Sequence, residues 1–258
     1  MGGVRSIIIK QDLQQISDML LLNGTLTECP GLVHGKMGIA VFFFHYAKYT
    51  GSELFADYAM DLIGEMLNQI HVNSPADYER GIAGIGVGID YLIRNDFLKV
   101  EDDICEDFDQ RMVRAVLYDP WQDFSKYTGL TGYGRYWITR LHYQLPIGQA
   151  RECLLRIIAL IEENLPDISD NEKSDVYSFL HDLCHIKGFE MCKGLLEHLK
   201  KQTMNEIHEN IYLALKLIPD LDMEKSPEST GLLTGYAGEG MLRLTAINPK
   251  DMSWIQLL

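Results

Sequence analysis

Apolar residues recur along this chain at the spacing of an amphipathic helix. The clearest stripe runs from Leu54 to Ile70, with apolar residues at i, i+1, i+4, i+5 and i+8. Similar stripes occupy residues 154–161 and 207–218, and a proline follows each of them. Outside Ile7–Ile9, no stretch alternates apolar and polar residues as a half-buried strand does. The pattern predicts an all-α fold.

A glycine phrase, Gly-x-x-Gly followed by an apolar stretch, recurs along the chain. Its four copies are Gly35-Lys36-Met37-Gly38, Gly81-Ile82-Ala83-Gly84, Gly129-Leu130-Thr131-Gly132 and Gly235-Tyr236-Ala237-Gly238. Successive copies begin 46, 48 and 106 residues apart. Because the last interval is about twice the others, we expect a degenerate copy near residues 182–188, where the chain reads Cys184-His185-Ile186-Lys187-Gly188.

A period of this length holds two helices, so each unit is predicted to be a helix hairpin whose second helix begins at the glycine phrase. Glycine suits a turn that needs positive φ or the close approach of another backbone. We expect the loops to lie at one end of the molecule, with helix-start N–H groups pointing outward around a cavity. The predicted cavity loops contain Gly35, Gly38, Arg80, Gly81, Gly84, Gly129, Gly132, Gly235 and Gly238. The alternative is that the glycines only let helices pack closely.

Composition and charge narrow the class of protein. The 258 residues carry a net charge of -14 with no dense Lys/Arg cluster, which argues against nucleic-acid binding. No run approaches the about 18 apolar residues of a membrane span. Five cysteines without a CxxC pair favour reduced thiols and a cytoplasmic protein. We expect one domain over residues 1–258.

The glycine phrases resemble those of the lanthionine synthetase C (LanC-like) family. The resemblance rests on Gly31-Leu32-Val33-His34-Gly35-Lys36-Met37-Gly38, Arg80-Gly81-Ile82-Ala83-Gly84, Gly129-Leu130-Thr131-Gly132 and Gly231-Leu232-Leu233-Thr234-Gly235-Tyr236-Ala237-Gly238. It implies an α/α toroid of helix hairpins, here with five to six hairpins and an incomplete ring. An open ring exposes an apolar flank, which suggests a protein partner or a homodimer.

The resemblance also implies catalytic residues. Asp77 lies four residues before Gly81, where the family has an aspartate associated with proton transfer; its alternative role is to cap the next helix. The family's catalytic histidine precedes a glycine in the middle of the chain, where this sequence has Thr128. His34 instead precedes the first repeat glycine. We therefore take Asp77 and His34 as the candidate catalytic residues.

In the family's cyclases, a zinc ion activates the substrate thiol. The zinc ion is held by the cysteine of a Trp-Cys-x-Gly loop and by an adjacent Cys-His pair. No tryptophan precedes a cysteine here, and Cys184-His185 is the only Cys-His pair. These two residues are the candidate metal ligands; His181 and Cys192 share their helix face, and Cys29 is another loop cysteine. The alternative is that the cysteines are core thiols. The sequence favours a protein without a cofactor and leaves zinc as the alternative.

Three functions remain open from the sequence. The resemblance implies a LanC-like protein associated with modification of ribosomally made peptides, adding thiols to dehydroamino acids. The second function is a non-catalytic scaffold that binds a peptide or protein. The third, by analogy of fold, is an α/α-barrel glycosidase, for which Glu79 and Glu239 are the carboxylates that can be named.

Overall fold

The computed structural model describes residues 2–99, 103–121, 123–141, 147–199 and 229–258, and these residues contain helices and no strand. The α-helices are α1 Gly2–Asn23, α2 Lys36–Thr50, α3 Glu53–Gln69, α4 Ile82–Arg94, α5 Glu106–Val113, α6 Leu130–Arg140, α7 Ile147–Asn164, α8 Asp170–Leu183, α9 Cys192–Leu199 and α10 Tyr236–Ile247. A π-helical turn, Arg114–Tyr118, continues α5, and a 3₁₀ turn spans Ser253–Leu257. The all-α class is confirmed. The helix predicted over 207–218 lies outside the described residues.

Contacts divide the chain into two compact units. The described part of the first unit is residues 2–71, 91–99 and 229–258, and that of the second is residues 72–90, 103–121, 123–141 and 147–199. The single domain and the incomplete ring of hairpins stay predictions. Among the described helices, none is long and apolar enough to cross a membrane.

In the first unit, α2 and α3 form a helix hairpin with an aromatic core. The stripe predicted from Leu54 to Ile70 is α3, which buries Ala59, Leu62, Ile63 and Met66. Helix α2 is apolar on nearly every side, and its residues Lys36 to Ala47 are all buried. The ring of Phe43 packs against those of Phe55 and Tyr58, with centroids 6.0 and 4.9 Å away.

A buried arginine joins the first and last helices of the first unit. Arg243 on α10 has no exposed side-chain surface. Its Nε donates to Asp12 Oδ2 on α1 at 2.8 Å, and its Nη1 donates to Glu239 Oε2 at 2.6 Å. Glu239 is therefore engaged in holding this arginine.

In the second unit, a similar ion network ties α6 to the start of α5. The guanidinium of Arg140 is 2% exposed and donates through Nε to Asp109 Oδ1 at 2.9 Å. It also pairs with Asp103, and Tyr136 Oη donates to Asp109 Oδ1 at 2.5 Å. Helix α6 packs in addition on α7 and α8. The network fixes the helix whose start carries the third glycine phrase.

Candidate functional site

Four loops with one hydrogen-bond pattern precede α2, α4, α6 and α10. We call them corner loops 1 to 4, and they comprise residues 29–35, 75–81, 123–129 and 229–235. In each, the N–H of the first helical residue donates to the carbonyl oxygen of the first loop residue at 2.8 to 2.9 Å. The pairs are Lys36 to Cys29, Ile82 to Pro75, Leu130 to Asp123 and Tyr236 to Ser229. The four glycine phrases therefore belong to one structural motif.

The first glycine of each phrase is required by the close approach of its own loop. A Cβ atom at this position would overlap the carbonyl oxygen six residues earlier in the chain. The second glycine of the phrase meets the same restriction at Gly38, Gly132 and Gly238. Backbone angles are ordinary, since φ is -134°, -115° and -107° at Gly35, Gly129 and Gly235. The close approach of the loop backbone, rather than the close packing of helices, thus accounts for these glycines; Gly84 is buried in the first turn of α4.

The corner loops within each unit pair with one another through their backbones. In the second unit, the N–H groups of Tyr78 and Glu79 both donate to the carbonyl of Tyr127 at 3.0 Å. In the first unit, Leu232 N–H donates to the carbonyl of Val33 at 2.8 Å. The donors are the fourth and fifth loop residues, and the acceptor is the fifth residue of the other loop.

The hydrogen bonds of the helix-start N–H groups correct one expectation about the site. The first N–H of each helix after a corner loop was expected to point outward as a free donor, and this is wrong because each is bonded to its own loop. The corner loops present side chains to solvent. At the sixth loop position, Arg80, Thr128 and Thr234 are exposed, and His34 is half-buried.

Residues 182–188, where a degenerate copy was predicted, form the end of α8 and the turn after it. In the other copies, the fifth residue of one helix is a glycine that touches an aromatic ring at the seventh residue of another: Gly86 against Tyr136, Gly240 against Phe42. Gly134, the fifth residue of α6, touches the ring of Phe179, which is the tenth residue of α8.

Two carboxylates of α8 accept hydrogen bonds from the backbone of corner loop 3. Lys126 N–H, at the fourth position of corner loop 3, donates to Asp175 Oδ2 at 2.8 Å. Phe124 N–H donates to Glu172 Oε1 at 3.0 Å, and burial raises the pKa of Asp175. These bonds tie corner loop 3 to α8.

Asp77 has a structural role within corner loop 2. Its Oδ1 accepts a hydrogen bond from Arg80 N–H at 2.7 Å, closing a turn. Ser125 makes the equivalent bond to Thr128 N–H in corner loop 3. A part in proton transfer by Asp77 stays a prediction, as does that of His34, which belongs to the other unit.

The candidate metal ligands do not fit the zinc site that the resemblance implies. Cys184 is buried and its Sγ donates to the carbonyl oxygen of His181 at 3.1 Å. His185 is exposed and packs edge-on against the His181 ring, 5.0 Å between centroids. Burial raises the pKa of the Cys192 thiol to about 11. Among the residues that the structure describes, no three His, Cys, Asp or Glu residues are grouped to hold a metal ion.

All five cysteines are free thiols, as the sequence predicted. Cys29 is half-buried, and its carbonyl accepts the hydrogen bond that closes corner loop 1. Glu79 is half-buried and lies 3.5 Å from Arg80 Nε. Glu239 is engaged by Arg243 and belongs to the other unit, so the pair of carboxylates stays a prediction.

A groove with a volume of about 500 Å³ lies elsewhere in the first unit. It is lined by Phe44, Lys48 and Phe97 among others, at the end of α2 opposite to corner loop 1. Lys48 Nζ stands 5.4 Å from the centre of the Phe97 ring. The groove is thus separate from the loop surface.

Sequence reasoning missed Lys126, which is only 6% exposed. The fourth position of a corner loop is buried in every copy: Leu32, Tyr78, Lys126 and Leu232. The Lys126 ammonium lies over the rings of Tyr78 and Tyr127, 5.1 and 5.9 Å from their centroids. Aligning the four loops would have shown a lysine where the other copies have leucine or tyrosine.

Comparison with known proteins yields no relative for this chain: no family model matches it, and neither a curated protein nor a solved structure does.

Proposed function

We propose that this protein binds peptides through the exposed side chains of its corner loops, in a repeat scaffold of the LanC-like type. The supporting observation is the contrast within the corner loops. The hydrogen bond that closes each loop and the two glycines of the phrase recur in all four copies, whereas the sixth position carries His34, Arg80, Thr128 or Thr234. Repeat proteins bind their partners in this way, with a constant scaffold and variable surface residues.

The net charge of the protein favours a basic peptide. With a net charge of -14, the chain attracts cationic partners and speeds their encounter at low ionic strength. The exposed loop residues include the apolar side chain of Leu233, which is 39% exposed. Its N–H donates to the carbonyl of Val33, the residue before the half-buried His34 in corner loop 1. A peptide with both basic and apolar residues suits this surface.

A second candidate function is peptide modification, namely thiol addition to a dehydroamino acid. It is favoured by His34, a half-buried imidazole placed directly before a helix-start glycine. In that reaction a base removes the thiol proton, the thiolate sulfur bonds to the β-carbon, and an acid protonates the α-carbon. An imidazole can exchange protons in either step near neutral pH. No step is assigned to zinc, because the described residues contain no group of three His, Cys, Asp or Glu that could hold it.

One synthetic peptide tests both candidates. It carries lysines, two leucines, one cysteine, one dehydroalanine and a fluorescent label. We expect saturable binding by fluorescence anisotropy that weakens as salt is raised. Replacing Leu233 with lysine should weaken binding about tenfold, whereas the control Leu54→Lys, at a 66% exposed position on α3, should not.

The same mixture reports on catalysis, since ring formation removes the thiol that iodoacetamide alkylates. Peptide binding without faster thiol loss supports the scaffold. Faster thiol loss that His34→Ala abolishes supports the second candidate. Absence of saturable binding, or equal weakening by both leucine substitutions, contradicts the proposed function.

A further inference from the structure

Lys126 is a buried amine. Within the described residues it makes no ion pair with a carboxylate, and its ammonium lies over the rings of Tyr78 and Tyr127. Lys36 gives the contrast within the same chain. That lysine is 3% exposed, and its Nζ bonds to Glu65 Oε2 at 2.5 Å. A paired lysine keeps its charge, whereas an unpaired one is destabilised as the ammonium.

The charged groups around Lys126 come from α6 and α8. Arg135 repels the ammonium, whereas Asp175 and Asp182 favour it. Burial is the largest influence, followed by Arg135, and together they lower the pKa of Lys126 well below its ordinary value. A lysine that is desolvated and next to another cation is the arrangement that makes an amine nucleophilic at neutral pH.

Arg135 also offers a hydrogen-bond donor in the same cluster. Its Nη1 donates to Asp182 Oδ2 at 3.1 Å and its Nη2 to Ser178 Oγ at 2.8 Å. The remaining Nε–H is buried and has no partner among the described residues. A buried donor left unpaired suggests a ligand oxygen that accepts its bond.

From the buried amine, the two aromatic faces and the unpaired Arg135 donor, we propose that Lys126 is a covalent binding site for a small aldehyde or ketone. The neutral amine nitrogen attacks the carbonyl carbon, and the proton leaves nitrogen for the carbonyl oxygen to give a carbinolamine. Loss of that hydroxyl with the second amine proton releases one water and leaves an imine. The reaction needs no oxidant or reductant, and hydrolysis reverses it. This inference does not depend on the proposed peptide binding.

Reductive labelling tests the site directly. The intact protein is treated at pH 7 with limiting acetaldehyde and cyanoborohydride, which reduces each imine to a stable ethylamine, and the early rate at each lysine is measured by peptide mass spectrometry. Lys126 should be labelled at least about tenfold faster than the exposed Lys10 and Lys48. Lys36 should stay unlabelled, because it is equally buried but paired.

Two variants show whether the environment causes the reactivity. Arg135→Gln removes the repelling cation, and labelling of Lys126 should slow by about threefold or more at pH 7. The control Arg156→Gln alters an arginine that is 40% exposed and paired with Glu163, and should leave the rate unchanged. Labelling of Lys126 no faster than of Lys10, or at the same rate as Lys36, would overturn the proposal.

Discussion

Replacing Lys126 with methionine should stabilise the protein at neutral pH. The position is buried and carries Leu32, Tyr78 or Leu232 in the other corner loops, so an unbranched apolar side chain fits the local packing. A buried lysine must either keep its charge in the interior or give up its proton, and an apolar side chain of similar volume avoids both costs, so we expect the free energy of unfolding to rise by about 1–4 kcal/mol. For a domain of this size, each kcal/mol raises Tm by about 2–4 °C.

The gain from Lys126→Met should shrink as pH rises. The pKa of Lys126 is lowered in the folded protein, whereas in the unfolded chain it is about 10.4. Between these values the unfolded chain binds one more proton than the folded one, so wild-type stability increases with pH by up to about 1.4 kcal/mol per pH unit. The variant lacks this contribution, and its advantage over the wild type therefore falls toward pH 10.

Urea denaturation of both proteins at several pH values between 7 and 10, followed by circular dichroism, measures this difference. Lys36→Met is the matched control: it leaves the Glu65 carboxylate without its partner and should destabilise the protein. A loss of stability in Lys126→Met at pH 7, or a gain that does not change with pH, would refute the reasoning.

Three further predictions follow from other contacts. Arg140→Met leaves the buried carboxylate of Asp109 without its cation and should lower the free energy of unfolding by about 3–5 kcal/mol in urea titrations; a loss under about 1 kcal/mol would contradict the assigned network. The hydrogen bond from His45 lowers the pKa of Asp251, so its stabilising contribution is present above the unfolded pKa of about 3.9 and is lost as pH falls through the lowered value. Asp251→Asn should therefore make the free energy of unfolding fall less steeply as pH is lowered through the acid range. An unchanged fall would show that the His45–Asp251 hydrogen bond does not contribute to stability. Elemental analysis of protein purified without chelators should find no stoichiometric zinc, and zinc that disappears on Cys184→Ala would show that the ligand set was judged wrongly.

The sequence predicted the features that depend on local backbone geometry or on the regular spacing of buried residues along a helix. The stripe of α3 predicted a helix to within a residue at each end, because one buried face imposes a regular spacing. The glycine phrases predicted equivalent turns, because no other residue fits under the loop carbonyl at Gly35 or Gly129. A restriction of this kind allows only one residue type at a position, so it can be recognised directly in the sequence.

Features that depend on contacts between segments far apart in the chain could not be predicted from the sequence in the same way. Asp175 binds the backbone of corner loop 3 through its side chain, a contact between residues 49 positions apart that no spacing of glycines indicates. Burial of Lys126 depends on Tyr78, 48 residues earlier in the chain. Cys184 and His185 are neighbours in sequence, yet one is buried and the other exposed, because they follow the last turn of α8.

The most direct test of the corner-loop motif is the change in free energy of unfolding on Gly35→Ala, compared with Gly64→Ala in the same unit. Gly64 lies inside α3 with open space where a Cβ would stand, so alanine there should add about 0.5–1 kcal/mol. At Gly35 the new methyl group meets the Cys29 carbonyl, and a loss of about 1–3 kcal/mol is expected. A stabilising or neutral Gly35→Ala would contradict the claim that close backbone approach defines these loops.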